Sequence, residues 1–190
     1  MTTMPAKTVG FIHMADGTRE DYALLAANLA ANPVPVADNV VALLKGLIGH
    51  NDGNKIDRYA HSLQTATRAH EAGADEEMVV VALLHDIGDL HAPANHSAFA
   101  AAVLRPYISQ DNHWLVRHHG IFQGYFYFHH YDLDRDAREK FRGHAMFEKT
   151  ADFCERWDQV SFDPAYQTMT LADFEPMLRR IFSRPADGYD

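Results

Sequence analysis

Met78-Val-Val-Val-Ala-Leu-Leu84, followed at once by His85-Asp-Ile-Gly88, is the stretch that decides the fold. Seven consecutive apolar residues leave a helix no polar face. A helix that is apolar all round belongs in the middle of a bundle. Asp75, Glu76 and Glu77 stand just ahead of it, where an N-cap and an acidic first turn favour helix initiation. The run is far too short for a membrane span, which needs roughly 20 apolar residues.

The neighbouring segments have helical punctuation. Asp57 to Ala72 reads as a helix closed by Gly73. Before it, a helix beginning near Asp38 presents Val40, Leu43, Leu44, Leu47 and Ile48 at helical spacing. Asp21 to Asn32 reads as a further helix stopped at Pro33, and residues 1–17 as irregular. Downstream, Asn95 is placed as the N-cap of a helix through Leu104, and Asp111 to His119 reads as a helix interrupted by Gly120. Met146 to Val160 is the penultimate helix. Thr170 and Asp173 suggest a capping box for a last helix that buries Leu171, Phe174, Met177, Leu178 and Ile181. Strand patterns are nearly missing. The expectation is an all-α fold in one domain of 190 residues, with a core over about 40–182 and an N-terminal extension over 1–37.

Composition narrows the function. Apolar residues are 47% of the chain, enough to build a core. Seventeen basic residues against 26 acidic ones give a formal charge of −9, which disfavours nucleic acid and anionic membranes as partners. A single cysteine, Cys154, suits a reducing compartment, and Met1 to Gly17 shows no basic-then-apolar targeting pattern, so a soluble, cytoplasmic protein is expected. Thirteen histidines point to metal, because imidazole is the commonest side-chain ligand.

The candidate ligands are His61, His85, Asp86, His96, His119 and Asp158. Imidazole and carboxylate suit iron, manganese or zinc better than calcium. Adjacent side chains diverge on a helix, so His85 and Asp86 cannot easily chelate one ion. A carboxylate bridging two ions removes that difficulty, and paired ions about 3.5–4 Å apart are a known catalytic arrangement. His91 and His118 compete locally with His96 and His119 for the same role.

His61, His85-Asp86 and Asp158, with Ala82-Leu-Leu-His-Asp-Ile-Gly88, resemble the H…HD…D signature of the HD-domain superfamily, a helical bundle fold of metal enzymes. The two further histidines, the piece His96-Ser-Ala-Phe-Ala-Ala-Ala-Val-Leu104 and Arg156-Trp157-Asp158 are most similar to its mixed-valent di-iron oxygenases, the branch of myo-inositol oxygenase and the phosphonate-cleaving oxygenases. The resemblance implies two iron ions (Fe2+/Fe3+) bridged by Asp86. His61, His85 and Asp158 would complete one site, and His96 and His119 an open one for substrate and O2. It implies oxidative C–P or C–C cleavage of a small hydroxylated substrate without external reductant. The alternatives are a metal-dependent phosphohydrolase acting on a phosphate ester or nucleotide, and a regulatory module that only binds a nucleotide.

Asp89 stands where these relatives carry a basic substrate contact, and Gln123 where the phosphonate branch has a lysine. Asn51 and Asn54 replace a Tyr and a Glu of the aminophosphonate enzyme. Instead the chain offers Phe122, Tyr125, Phe126, Tyr127, Phe128 and Tyr131, and aromatic faces bind quaternary ammonium groups. With Asp89 as a catalytic or substrate-binding carboxylate, they suggest a trimethylammonium end, as in 1-hydroxy-2-(trimethylammonio)ethylphosphonate. Arg142 and Arg156 are the candidate phosphonate contacts, with Arg138 and Lys149 behind them.

Overall fold

The computed structural model describes residues 7–31 and 34–186, so the expectations for residues 1–6, Asn32 and Pro33 fall outside the described residues. Two compact units divide the chain, 1–36 and 37–190. In the first, α1 (Arg19–Ala31) starts behind Thr18, whose backbone N and side-chain hydroxyl both donate to Asp21. Tyr22 packs its ring 5.6 Å from that of Phe11.

The second unit is built of helices joined by turns and irregular segments, with no strand among its described residues. Its helices are α2 (Val36–Gly46), α3 (Arg58–Glu71), α4 (Glu76–Leu84), α5 (His96–Leu104), α6 (Gln110–Tyr127), α7 (Phe147–Phe153) and α8 (Leu171–Phe182). No helix among the described residues is long and apolar enough to cross a membrane. Met78 to Leu84 on α4 are all buried, and α3, α6 and α8 pack around that helix. Three of the expected helix starts carry side-chain caps, whereas Asn95 holds the N-cap position of α5 without a side-chain cap hydrogen bond. Asp57 accepts from the Ala60 N–H and Asp75 from the Met78 N–H, and Thr170 and Asp173 close a reciprocal box. Each such cap satisfies an N–H that the first helical turn leaves open, worth about 1 kcal/mol.

Three local expectations are corrected. Helix α2 begins at Val36, ahead of Asp38, and Ile48 lies past its end and is exposed. Helix α6 begins behind Ser109, whose hydroxyl accepts from the Asn112 N–H, and runs unbroken through Gly120 to Tyr127. Gly120 is a packing residue: a Cβ there would lie 2.7 Å from Ser97 Oγ on α5. Close helix approach offsets the roughly 1 kcal/mol that glycine costs inside a helix. The penultimate helix is α-helical only to Phe153. Cys154–Asp158 then forms a π turn, closed by the Gln159 N–H donating to the Cys154 carbonyl at 2.9 Å.

Candidate metal centre

Five elements converge on one buried cluster. His61 comes from the first turn of α3, His85 and Asp86 from the end of α4, and His96 from the first position of α5. His119 comes from the middle of α6, and Asp158 ends the π turn. The extra residue of that turn advances the chain relative to an α-helix and delivers Asp158 to the cluster, a common use of π segments at functional sites. His61, His85, Asp86, His119 and Asp158 are buried; His96 keeps 26% of its side chain exposed.

The two oxygens of Asp86 face different partners. Oδ2 lies 3.3 Å from both His61 Nε2 and His85 Nε2. Oδ1 lies 3.0 Å from His119 Nε2 and 3.6 Å from His96 Nε2. Asp158 Oδ1 stands 3.4 Å from His61 Nε2 and 3.7 Å from His85 Nε2.

All four imidazoles are held from behind. Nδ1 of His61 meets the Ser161 carbonyl at 2.9 Å, that of His85 the Ala82 carbonyl at 2.8 Å, and that of His119 the Val116 carbonyl at 2.7 Å. Nδ1 of His96 meets the Pro93 carbonyl at 3.2 Å. A carbonyl only accepts, so each Nδ1 carries the proton and a neutral ring turns the Nε2 lone pair inward. Yet Nε2 of His61 and His85 are only 3.3 Å apart, and Asp158 Oδ2 is buried with no partner. Two ring nitrogens this close and an orphaned carboxylate oxygen call for a cation, a proton or a metal ion. The nitrogen and oxygen donors form three groups compact enough to bind a metal: His61, His85, Asp86; His85, His119, Asp158; and Asp86, His96, His119.

Electrostatics agree. Burial works against a charged imidazolium, but Asp158 and Asp86 raise the pKa of His61, and the same carboxylates raise that of His85 further. Burial opposes ionisation of Asp86, but His85, Arg58 and His119 hold it well below the usual carboxylate range. Asp158 is lowered against its burial by His61 and His85. In the metal-free protein these shifts favour protons on His61 and His85 beside the ionised carboxylates, and a metal would displace them.

Sequence reading missed several participants. Arg58, one turn before His61, donates to Asp86 Oδ2 at 2.7 Å and, through Nε, to Asp89. Phe162 stacks on the His61 ring at 4.5 Å. Cys154 donates its thiol to the His119 carbonyl at 3.5 Å, and burial keeps that thiol protonated. Arg58 could have been noticed from its i, i+3 spacing to His61; nothing local marks Phe162.

A cavity of about 470 Å³ opens on the cluster. Its walls include Asp86, His96, His119, Asp158, Arg58 and Gln123, with Phe126, Tyr127, Tyr131 and Phe162 as aromatic faces. Gln123 donates its amide to Asp158 Oδ1 at 3.2 Å. Of the expected substrate contacts, Gln123, Phe126, Tyr127 and Tyr131 therefore stand at the cavity, and Phe122, Tyr125, Phe128, Asp89, Arg142 and Arg156 do not. Phe122 is fully buried against Phe147 and Trp114, because it points from α6 into the core. Tyr125 has its face covered by Arg138 and Arg135, with guanidinium carbons 3.7 and 4.3 Å from the ring centre. Arg142 is tied to Glu139 and Glu148 at the surface, and Arg156, two residues before Asp158 on the π turn, is exposed. Arg138 and Lys149 are likewise outside the cavity wall. Asp89 does not line this cavity either. It is engaged by Arg58 and faces His96 at 3.6 Å, and burial and Asp86 raise its pKa. His91 stacks on Phe99, and His118 on Trp114 with its Nδ1 on the Trp114 carbonyl, so neither joins the cluster.

No family model matches the chain, and no curated protein matches it.

Proposed function

We propose that this chain is a dinuclear non-haem iron oxygenase. It would use O2 to cleave a small hydroxylated substrate, by preference the C–P bond of an organophosphonate like 1-hydroxy-2-(trimethylammonio)ethylphosphonate. The observation that carries the reading is the two-sided carboxylate of Asp86, with separate imidazole pairs within 3.3 Å of Oδ2 and within 3.6 Å of Oδ1. His61, His85, Asp158 and Oδ2 would hold one ion, and His96, His119 and Oδ1 the other. When bound, an Fe(II)/Fe(III) pair supplies Lewis acidity toward a substrate hydroxyl and the redox capacity to use O2.

The chain's own residues do the rest. Four backbone carbonyls fix the imidazole orientations, so no ring must reorganise during turnover. Arg58 restrains the plane of the Asp86 carboxylate from the cavity side. Burial, Asp158 and Asp86 push the pKa of Tyr127 up, so its phenol keeps its proton and can donate to a substrate oxygen. The rings of Tyr127 and Tyr131 stand nearly perpendicular, 6.1 Å between centres, and with Phe126 form walls suited to a quaternary ammonium group.

The same donor cluster would equally serve metal ions that activate water against a phosphate ester, which makes a metal-dependent phosphohydrolase the second reading. Oxygen separates them. Metal analysis and EPR on anaerobically purified, partly oxidised protein should give about two irons per chain with a coupled signal. Hydroxyphosphonate turnover should consume O2 and stop under argon. Phosphate release from monoesters that continues under argon would establish the hydrolase instead. The cationic substrate should exceed its neutral isostere by about 30-fold in kcat/KM, the equivalent of a desolvated cation–π contact of roughly 2 kcal/mol.

A further inference from the structure

A second cavity, of about 510 Å³, adjoins the first and shares His96, Gly120 and Tyr127 with it. Its remaining walls include Arg117, His118, Ser97, Asn95 and Lys140, and no Asp or Glu is among them. In a chain with formal charge −9, a cavity with two permanent cations and no carboxylate is the exception. The arginine of the metal cavity, by contrast, is already claimed by Asp86 and Asp89.

The placement of these cations is a consequence of helix α6. Arg117, Gly120 and Ile121 fall at i, i+3 and i+4, so they share one face, and that face lines the second cavity. His119 and Gln123, four apart, line the metal cavity, and Gly120 and Tyr127 mark the border. Lys140 also lines this cavity, its Nζ 5.0 Å from the centre of the Phe141 ring. Arg117 and Lys140 are both exposed, and neither forms an ion pair among the described residues. Unpaired cations facing one concave surface concentrate field there and raise the local concentration of anions.

We propose that this second cavity is an oxyanion vestibule: Arg117 and Lys140 bind the phosphonate or phosphate of a molecule on its way past Tyr127 to or from the metal cavity. The assignment deepens the oxygenase reading by making the substrate anionic, and it rests on that reading only for the reaction, not for the binding. The vestibule gives an otherwise acidic protein a local means of collecting anions. It acts on capture and release, leaving the chemical step to the cluster.

The test uses inorganic phosphate titrated into 15N-labelled full-length protein loaded with diamagnetic zinc. The amides of Ser97, Ile121 and Phe141 should shift, saturably and less so at high salt. The double variant Arg117→Ala/Lys140→Ala should raise the dissociation constant at least about tenfold, as expected for losing charge-assisted hydrogen bonds. Lys45→Ala/Arg19→Ala, which removes the same charge from exposed positions elsewhere, should not. In turnover of an anionic substrate, the first variant should lower kcat/KM about tenfold and leave kcat and metal content unchanged. Phosphate shifting only the Gln123 and Gln159 amides, or equal binding by both double variants, overturns the vestibule. Because phosphate binding needs no O2, oxygen-independent turnover with intact phosphate binding would instead remove the oxygenase reading.

Discussion

On the Oδ2 side of Asp86, His61, His85 and Asp158 are buried to within a few per cent and drawn from α3, α4 and the π turn; on the Oδ1 side, His119 is buried but His96 is 26% exposed and opens on the cavity. The first side has its polar atoms enclosed by Phe162 and Phe153. The second is bordered by glycines, with Gly88 and Gly120 both against His96. A set of donors buried to within a few per cent serves retention, and a set with one open flank serves exchange of ligands. One carboxylate thus joins a holding half to a working half.

The comparison is broken most directly by removing one ligand from each half. Asp158→Ala should lose most of the bound metal and about 3 kcal/mol of stability, because it leaves two buried imidazoles with one facing carboxylate instead of two. His96→Ala should keep roughly half the metal and cost under about 1 kcal/mol, since water reaches that side. Metal analysis with urea unfolding reads both quantities, and equal losses in the two variants would erase the distinction.

Gly88→Ala sharpens it next. An added Cβ would sit 2.6 Å from the His96 carbonyl oxygen and 2.8 Å from His96 Cα, backbone atoms that cannot rotate away. The start of α5 must shift, at a cost of about 1–3 kcal/mol. Activity should fall more than metal retention in the His61 half, which metal titration separates from rate.

A smaller effect calibrates the scaffold apart from the cluster. Glu77 accepts from the Ser109 N–H at 2.7 Å and Asn112 Nδ2 at 2.8 Å and pairs with Arg184, tying α4 to the start of α6. Burial opposes its ionisation, but these donors bring its pKa from 4.5 down to about 2. A lowered folded-state pKa means stability that is present above pH about 4.5 and lost as pH falls toward 2. After solvent screening of the arginine end, about 1–2 kcal/mol remains. Glu77→Gln should remove this acid-dependent increment and leave metal affinity at neutral pH unchanged. An unaltered acid limb would place the pH response in the cluster itself.

Much of the helical order was legible because its signals are local. Asp57, Asp75 and the Thr170–Asp173 pair announce helix starts through hydrogen bonds to residues three places away, and Met78–Leu84 announces burial through composition alone. The His and Asp ligand candidates also meet in space. What stayed hidden depends on partners distant in sequence. Gly120 reads as a helix stop until α5 is known to press against it. Phe122 and Tyr127 look alike in a string of aromatics, but their positions around α6 send one into the core and the other to the cavity. Arg58 and Asp89 are 31 residues apart, and only their hydrogen bond shows that Asp89 is already engaged.

The π turn at Cys154–Asp158 has a consequence for how this chain tolerates length change. It contains one residue more than a regular helix would use to reach Gln159. Deleting a residue between Phe153 and Asp158 would let the segment relax into an α-helix with every hydrogen bond made, yet rotate the carboxylate away from His61 and His85. The result would be a well-formed helix with an incomplete site. A deletion here is therefore structurally mild and functionally severe, the reverse of the usual expectation for a break inside a helix.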